Sequence, residues 1–257
     1  LITAAAAQWH DFDVLRPAGQ AGLRLIDHTG DYSTLIVTGP QSRDLFQSLD
    51  TQADLYAPWL SHQMARVAGV DCALARVSFA GELGWEIHAA NKDIPILYAA
   101  VIGAGAKPFG MWALNALRME KGYRAWKGDL STDYTVLQGG LDRFVKLDKP
   151  QEFPGKAALL REQQTGPTKR FVTLVIDAGD QDAPYMSTVS YKGDVVGETT
   201  SGDWGYRVNK SIAFAMVRAD LAQAGTELEV DIFGVPRHAT VQPDAPLWDP
   251  ENKRLRA

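Results

Sequence analysis

The chain has 257 residues, enough for one large domain or two modest ones with their own cores. Hydrophobic residues make up 46% and charged residues 22%, the balance of a globular protein, and the net charge of −5 with no Lys/Arg run longer than two argues against a nucleic-acid or anionic-membrane partner. The single Cys72 excludes an internal disulfide framework and any multi-cysteine metal site, and no apolar run approaches the length of a membrane span.

The first residues, Leu1-Ile2-Thr3-Ala4, bring no initiator Met, basic n-region or cleavage site, so they do not form a signal peptide. Thr3–Ala7 reads as the end of a strand entering a helix, which predicts that the N-terminal part of the protein is missing here. A helix is expected from Gln8 to Leu15, with Trp9, Phe12 and Leu15 on one side, ended by Pro17 and Gly19. Leu23–Asp27 and Ser33–Thr38 alternate as strands around His28-Thr29-Gly30-Asp31. Gly39-Pro40 opens a helix over Gln41–Leu49, with Leu45, Phe46 and Leu49 as its buried stripe. Met64–Val70 and Cys72–Phe79 read as paired strands, and Trp85–Ala89 as a third. A helix over Asp93–Ile102 and a longer one over Gly110–Tyr123 follow.

From Lys149 to Lys169 the composition shifts to Pro150, Pro154, Gly155, Gly166 and Pro167 around a short helix, Lys156–Gln163, which marks a domain boundary. Beyond it, Arg170–Asp177, Thr188–Tyr191, Asp194–Thr199, Ser211–Val217, Thr226–Phe233 and Pro236–Val241 are short strands between turn signals, the pattern of a small antiparallel barrel or jelly roll. The whole reads as α+β: an antiparallel sheet with helices over residues 1–148, a linker over 149–169 and a barrel over 170–257.

The stretch Ser78-Phe79-Ala80-Gly81-Glu82-Leu83-Gly84-Trp85-Glu86-Ile87-His88 stands out. It is a glycine-punctuated turn feeding a strand, and alternation puts Glu86 and His88 on one face with Trp85 and Ile87 on the other. A mid-strand carboxylate is costly to bury without a cation or donor, so Glu86 is either an exposed hairpin residue or a ligand group. Glycines at 81 and 84 permit a positive φ or a close approach to the backbone. On the Gly110–Tyr123 helix, Asn115, Arg118 and Gly122 share a stripe that is either solvated or meets a ligand. Standard catalytic signatures are lacking, and His10, His28, His62, His88 and His238 show no metal-ligand spacing, so no metal is expected. Cys72, in an apolar run, reads as a buried inert thiol.

The Ser78–His88 segment resembles the folate-binding motif of the glycine-cleavage T-protein (aminomethyltransferase) superfamily. Leu117-Arg118-Met119-Glu120-Lys121-Gly122-Tyr123-Arg124-Ala125-Trp126-Lys127-Gly128-Asp129 resembles that family's following helix and turn. With Asp133-Tyr134-Thr135 and Gly140-Leu141-Asp142-Arg143-Phe144-Val145, the wording is most similar to the C-terminal half of the flavin-dependent dimethylglycine and sarcosine dehydrogenases.

The resemblance implies tetrahydrofolate as cofactor. A pterin edge presents adjacent N–H donors that a carboxylate accepts in a two-pronged hydrogen bond, the glutamate tail is anionic, and the ring needs flat apolar walls. Glu86 matches the family's pterin-recognising glutamate. Arg118 aligns with an arginine on the folate-facing helix, to hold the folate or balance buried carboxylates, against the plainer reading of an internal ion pair with Glu82 or Asp129. Phe79 stands where many relatives carry tyrosine. Trp126, Trp204 and Tyr206 are either walls of the site or packing residues, and Glu82 reads as a turn residue. The catalytic acid–base residue is unknown in this chain, because the family's aspartate would lie before Leu1.

The function so implied is a one-carbon transferase domain of a flavin-linked dehydrogenase. It would capture the methyl-derived carbon of an N-methyl amino acid of dimethylglycine or sarcosine type as 5,10-methylenetetrahydrofolate. FAD would sit on an absent domain or subunit, the small-molecule N-methyl donor would be the partner, and the setting would be cytoplasmic, with no nucleic acid and no membrane. Two other readings remain: a stand-alone folate-dependent aminomethyltransferase or demethylase, and a non-enzymatic folate-binding regulator.

Overall fold

A computed structural model of the chain describes residues 1–19 and 22–257. They divide into two compact units, Leu1–Leu114 with Asp249–Ala257, and Asn115–Trp248.

The first unit opens on a 3-10 turn, Ala5–Ala7, that leads into α1, Gln8–Gly19. The strand expected at Thr3–Ala7 does not form: four successive alanines offer no branched side chain to a pleated surface, and the Ala7 N–H bonds back to the Ala4 carbonyl at 2.8 Å. Helix α1 runs past Leu15 with Pro17 inside it, because a proline in the last turn removes one backbone hydrogen bond and leaves the preceding turns intact. Trp9 is exposed, while Phe12 and Leu15 are half-buried. Leu23–Asp27, also expected as a strand, has no regular structure. The Asp27 carboxylate takes the Thr29 N–H at 2.9 Å, a local turn that competes with strand pairing.

Strand β1 (Tyr32–Thr38) is followed by α2 (Ser42–Ser48), β2 (Thr51–Gln52), β3 (His62–Val67), β4 (Val70–Ala75), β5 (Gly84–Ala90) and α3 (Ile94–Gly103). The five strands form one antiparallel sheet in the order β1-β5-β4-β3-β2. Strands β3 and β4 meet two residues earlier than the alternation suggests. Ala68 (φ 48) and Gly69 (φ 79) make a two-residue hairpin loop whose positive φ values match the sheet twist, and Val67 pairs with Val70. Strand β4 stops at Ala75 because the buried Arg76 turns its N–H to the Ser61 carbonyl and its guanidinium to the carbonyls of Ala57, Arg256 and Ala257. One sheet face carries Val37, Ala65, Val67, Cys72, Leu74, Trp85 and Ile87, packed with Phe46 of α2 and Leu97 and Val101 of α3. Trp85 and Phe46 meet edge to face at 5.1 Å.

Helix α4 (Met111–Glu120) carries the chain into the second unit. Its end is capped by Gly122 at φ 72: the Gly122 N–H bonds the Met119 carbonyl and the Tyr123 N–H the Arg118 carbonyl, both at 2.9 Å. After α5 (Lys156–Thr165) come β6 (Lys169–Ile176), β7 (Thr188–Tyr191), β8 (Asp194–Gly205), β9 (Lys210–Arg218), β10 (Glu227–Ile232) and β11 (Val235–Val241). They close as an antiparallel barrel, β10-β11-β6-β9-β8-β7, which leaves no open sheet edge. Leu174, Val189, Ala213, Ala215, Val230 and Ile232 lie in its core. Strand β8 runs six residues beyond the expected Thr199. Its glycines look like turn signals but answer to crowding: a Cβ would lie 2.2 Å from the Met216 carbonyl oxygen at Gly197 and 1.9 Å from that of Ala183 at Gly202. Among the described residues no helix is long and apolar enough to cross a membrane.

Candidate functional site

The turn before β5 is held by hydroxyls. Ser42 Oγ donates to the Leu83 carbonyl at 3.1 Å, Thr38 Oγ1 to the same oxygen at 3.2 Å, and the Glu82 N–H donates to Ser78 Oγ at 3.4 Å. Gly81 has φ 75, and a Cβ at Gly84 would sit 2.8 Å from the Val37 carbonyl oxygen. Glycine is therefore demanded at both ends of the turn, by conformation at one and by close approach at the other.

This turn delivers Glu86 onto the sheet face opposite the core. Its side chain keeps 26% exposure, and Oε2 lies 3.1 Å from His88 Nε2. The other ring nitrogen, Nδ1, lies 2.8 Å from Thr34 Oγ1. An ionised Glu86 accepts from Nε2–H, and the Thr34 hydroxyl then donates to Nδ1, so a neutral imidazole satisfies the set. Glu86 Oε1 has no protein partner among the described residues. Ala75 and Ala73 stand directly across β4 from Glu86 and His88. The period-2 reading placed Glu86 and His88 together. It missed His88 as the group that orients the carboxylate, although the spacing of two on one strand carried that signal.

In the second unit Arg118 is buried, and all five of its N–H donors are taken. Nε and Nη2 donate to Asn115 Oδ1 at 3.1 and 2.7 Å, Nη2 also to Ser201 Oγ at 2.7 Å, and Nη1 to the Tyr123 carbonyl at 3.0 Å and Asp129 Oδ2 at 2.5 Å. Asp129 is fully buried and accepts further bonds from the Ala125 N–H at 2.8 Å, Thr200 Oγ1 at 2.6 Å and Ser201 Oγ at 2.8 Å. Asn115 Nδ2 donates to Asp203 Oδ2 at 2.7 Å. Of the roles open to Arg118, this geometry supplies the balancing of a buried carboxylate. The network fastens α4, the following loop and β8 to one another. Thr200, Ser201 and Asp203 are far along the chain, and nothing local marked them.

Phe79 and Trp126 are half-buried, Trp204 is half-buried on β8, and Tyr206 is exposed in the turn after it. Glu86 and Phe79 belong to the first unit, and Arg118, Trp126 and Tyr206 to the second. Cys72 is buried; burial first, and then the charge of Asp71, push its thiol above the ordinary value, which suits an inert group. Among the described residues no group of three His, Cys, Asp or Glu side chains is arranged to hold a metal ion.

A helix-backed antiparallel sheet bearing a half-open carboxylate, joined in sequence to a closed six-stranded barrel, defines an α+β protein. Residues 1–149 match the GCVT N-terminal domain, and residues 169–249 match the glycine cleavage T-protein C-terminal barrel domain. The chain belongs to the glycine cleavage T-protein family. It is 35% identical to the mitochondrial dimethylglycine dehydrogenase of Rattus norvegicus, over 100% of this chain and 31% of that protein. It is 34% identical to an aminomethyltransferase of Synechococcus sp. (strain WH7803), over 86% of this chain and 60% of the relative. The crystal structure of the glycine cleavage system aminomethyltransferase T from Bartonella henselae shares the fold, with a TM-score of 0.82 at 21% identity, over 96% of this chain and 67% of that one. The chain thus spans 31% of the length of the dehydrogenase it matches.

Proposed function

We propose that this chain is a tetrahydrofolate-binding one-carbon transferase domain acting within a flavin-linked dehydrogenase of N-methyl amino acids. The observation that carries the reading is Glu86: a carboxylate turned by His88, with Oε1 free, on a strand whose glycines bring the backbone close. That acceptor pair suits the adjacent N–H donors of an amino-pyrimidinone edge. When bound, tetrahydrofolate would supply the nitrogens that capture a methyl-derived carbon at the oxidation level of formaldehyde.

Each remaining role belongs to this chain's residues. Glu86 would grip and orient the pterin and, being ionised, would take no proton. His88 and Thr34 would fix the carboxylate's direction. Phe79 would offer an apolar wall, without the hydroxyl a tyrosine brings. Arg118 would act by holding Asp129, and so the frame of α4 and β8, rather than by reaching the ligand with a spare donor. Catalysis would then be chiefly positioning with water kept out.

Family membership and the names of the matched relatives support this reading, as does the identity to dimethylglycine dehydrogenase over the whole chain. Within it, residues 1–148 carry the folate function, 149–169 link, and 170–257 form the barrel; the flavin, the N-methyl donor and a cytoplasmic setting complete the proposal. Calorimetric titration of tetrahydrofolate into the wild type and Glu86→Ala is the test. A loss of about tenfold or more in affinity with the fold intact is expected from removing a charge-assisted bidentate contact. Equal affinity in the two proteins would take Glu86 out of the pocket and leave the reading without its main support.

A further inference from the structure

We propose that Arg124 forms a separate anion site in the second unit, shaped for a small monocarboxylate. This site does not depend on the folate reading, and its test does not use folate.

The Arg124 side chain retains 10% exposure, yet it lacks the hydrogen bonds its burial calls for. Nε is buried without a hydrogen-bond partner among the described residues. The nearest carboxylate oxygen, Asp244 Oδ1, is 3.8 Å from Nη2, beyond hydrogen-bond distance, on a side chain that is 94% exposed. Among the arginines of the same unit Arg237 shares an unmatched Nε, whereas Arg118, Arg170 and Arg207 are met by the protein. Arg118 uses all five donors, Arg170 bonds the Leu137 carbonyl at 2.6 Å and Asp142 at 3.3 Å, and Arg207 bonds Glu120 and the Leu117 carbonyl. A guanidinium this buried normally has its donors met, and one that does not is held ready for an acceptor from outside.

Two neighbours define the space around the Arg124 guanidinium. The guanidinium stacks over the Phe171 ring, 4.1 Å from its centroid, which fixes its plane. Gly140, at φ 64, faces Nη2, and a Cβ there would come within 2.9 Å of it. Burial is the largest influence on the Arg124 charge and pushes the guanidinium below its ordinary value; Asp244 opposes this, and Arg143 adds to it. An arriving anion would relieve both the missing hydrogen bonds and this repulsion. The fork is planar and stacked, so a flat carboxylate lying in its plane can meet two N–H groups at once, which a tetrahedral oxyanion does less well.

The test follows the arginine Nε–H resonances of the 15N-labelled full-length protein during titration with sodium acetate and, separately, with inorganic phosphate. The Arg124 signal is assigned by its loss in Arg124→Lys. A saturable shift of that signal with acetate is expected, tighter than with phosphate. Arg124→Lys keeps the charge but loses the fork, and should weaken acetate binding, read by calorimetry, by about tenfold. Asp244→Asn removes a competing charge on an exposed side chain and should tighten binding by roughly threefold. No saturable shift with acetate would overturn the proposal, as would saturation by phosphate alone. So would an Asp244→Asn protein that loses thermal stability without any gain in acetate affinity, since Asp244 would then be the arginine's own partner.

Discussion

Asp129 is fully buried and meets Arg118, the Ala125 N–H, Thr200 and Ser201, whereas Glu86 keeps a quarter of its side chain exposed and, among the described residues, hydrogen-bonds only His88. Both are carboxylates beside a nitrogen partner, and both lie in segments that carry the family resemblance. They differ in what is left over. Asp129 has no accepting position unfilled, so it braces structure. Glu86 has an oxygen to spare, so it can meet a ligand. Satisfaction of hydrogen-bonding capacity, more than the presence of charge, separates a frame from a binding group.

That contrast can be broken by experiment. The largest effect is expected from Asp129→Ala, which strands the buried Arg118 guanidinium and should cost about 3–5 kcal/mol in urea unfolding. A loss below about 1 kcal/mol would mean that water replaces the carboxylate easily and that the brace is illusory. Next comes Gly202→Ala, beside Ser201 and Asp203. Its Cβ would overlap the Ala183 carbonyl, so β8 must shift, at a cost of about 1–3 kcal/mol. A neutral result there, with Arg118 and Asp129 undisturbed in a crystal structure of the variant, would show that β8 moves freely of the network. Smallest is Glu86→Gln, in which a partly exposed pair with His88 is lost and stability should change by less than about 1 kcal/mol. A change of several kcal/mol in the same unfolding assay would class Glu86 with Asp129 and erase the comparison.

Much of this was legible from local pattern. Alternation over Trp85–Ala89 placed Glu86 and His88 on one face, and the register of β5 against β1 and β4 agrees. Gly81 and Gly84 were marked for backbone reasons and serve them. An internal ion pair of Arg118 with Glu82 or Asp129 stood among the open readings, since arginine favours such pairs, and Asp129 is the partner found. Illegible were the partners brought from afar: Thr200 and Ser201 reach Asp129 over 71 and 72 residues. Local signals also misled. Pro17 did not stop α1, and Leu23–Asp27 did not pair, because a strand needs a neighbour and Asp27 bonds its own turn instead.

The amino-acid order alone settled the periodicities, the glycine positions and the family wording, because each depends on neighbours a few residues away. Barrel closure, the length of β8, the filling of every donor on Arg118 and the unmet Nε of Arg124 were decided only in three dimensions. The reason is that hydrogen-bond satisfaction is a property of everything that surrounds a group once the chain has packed, and no window of sequence contains those surroundings.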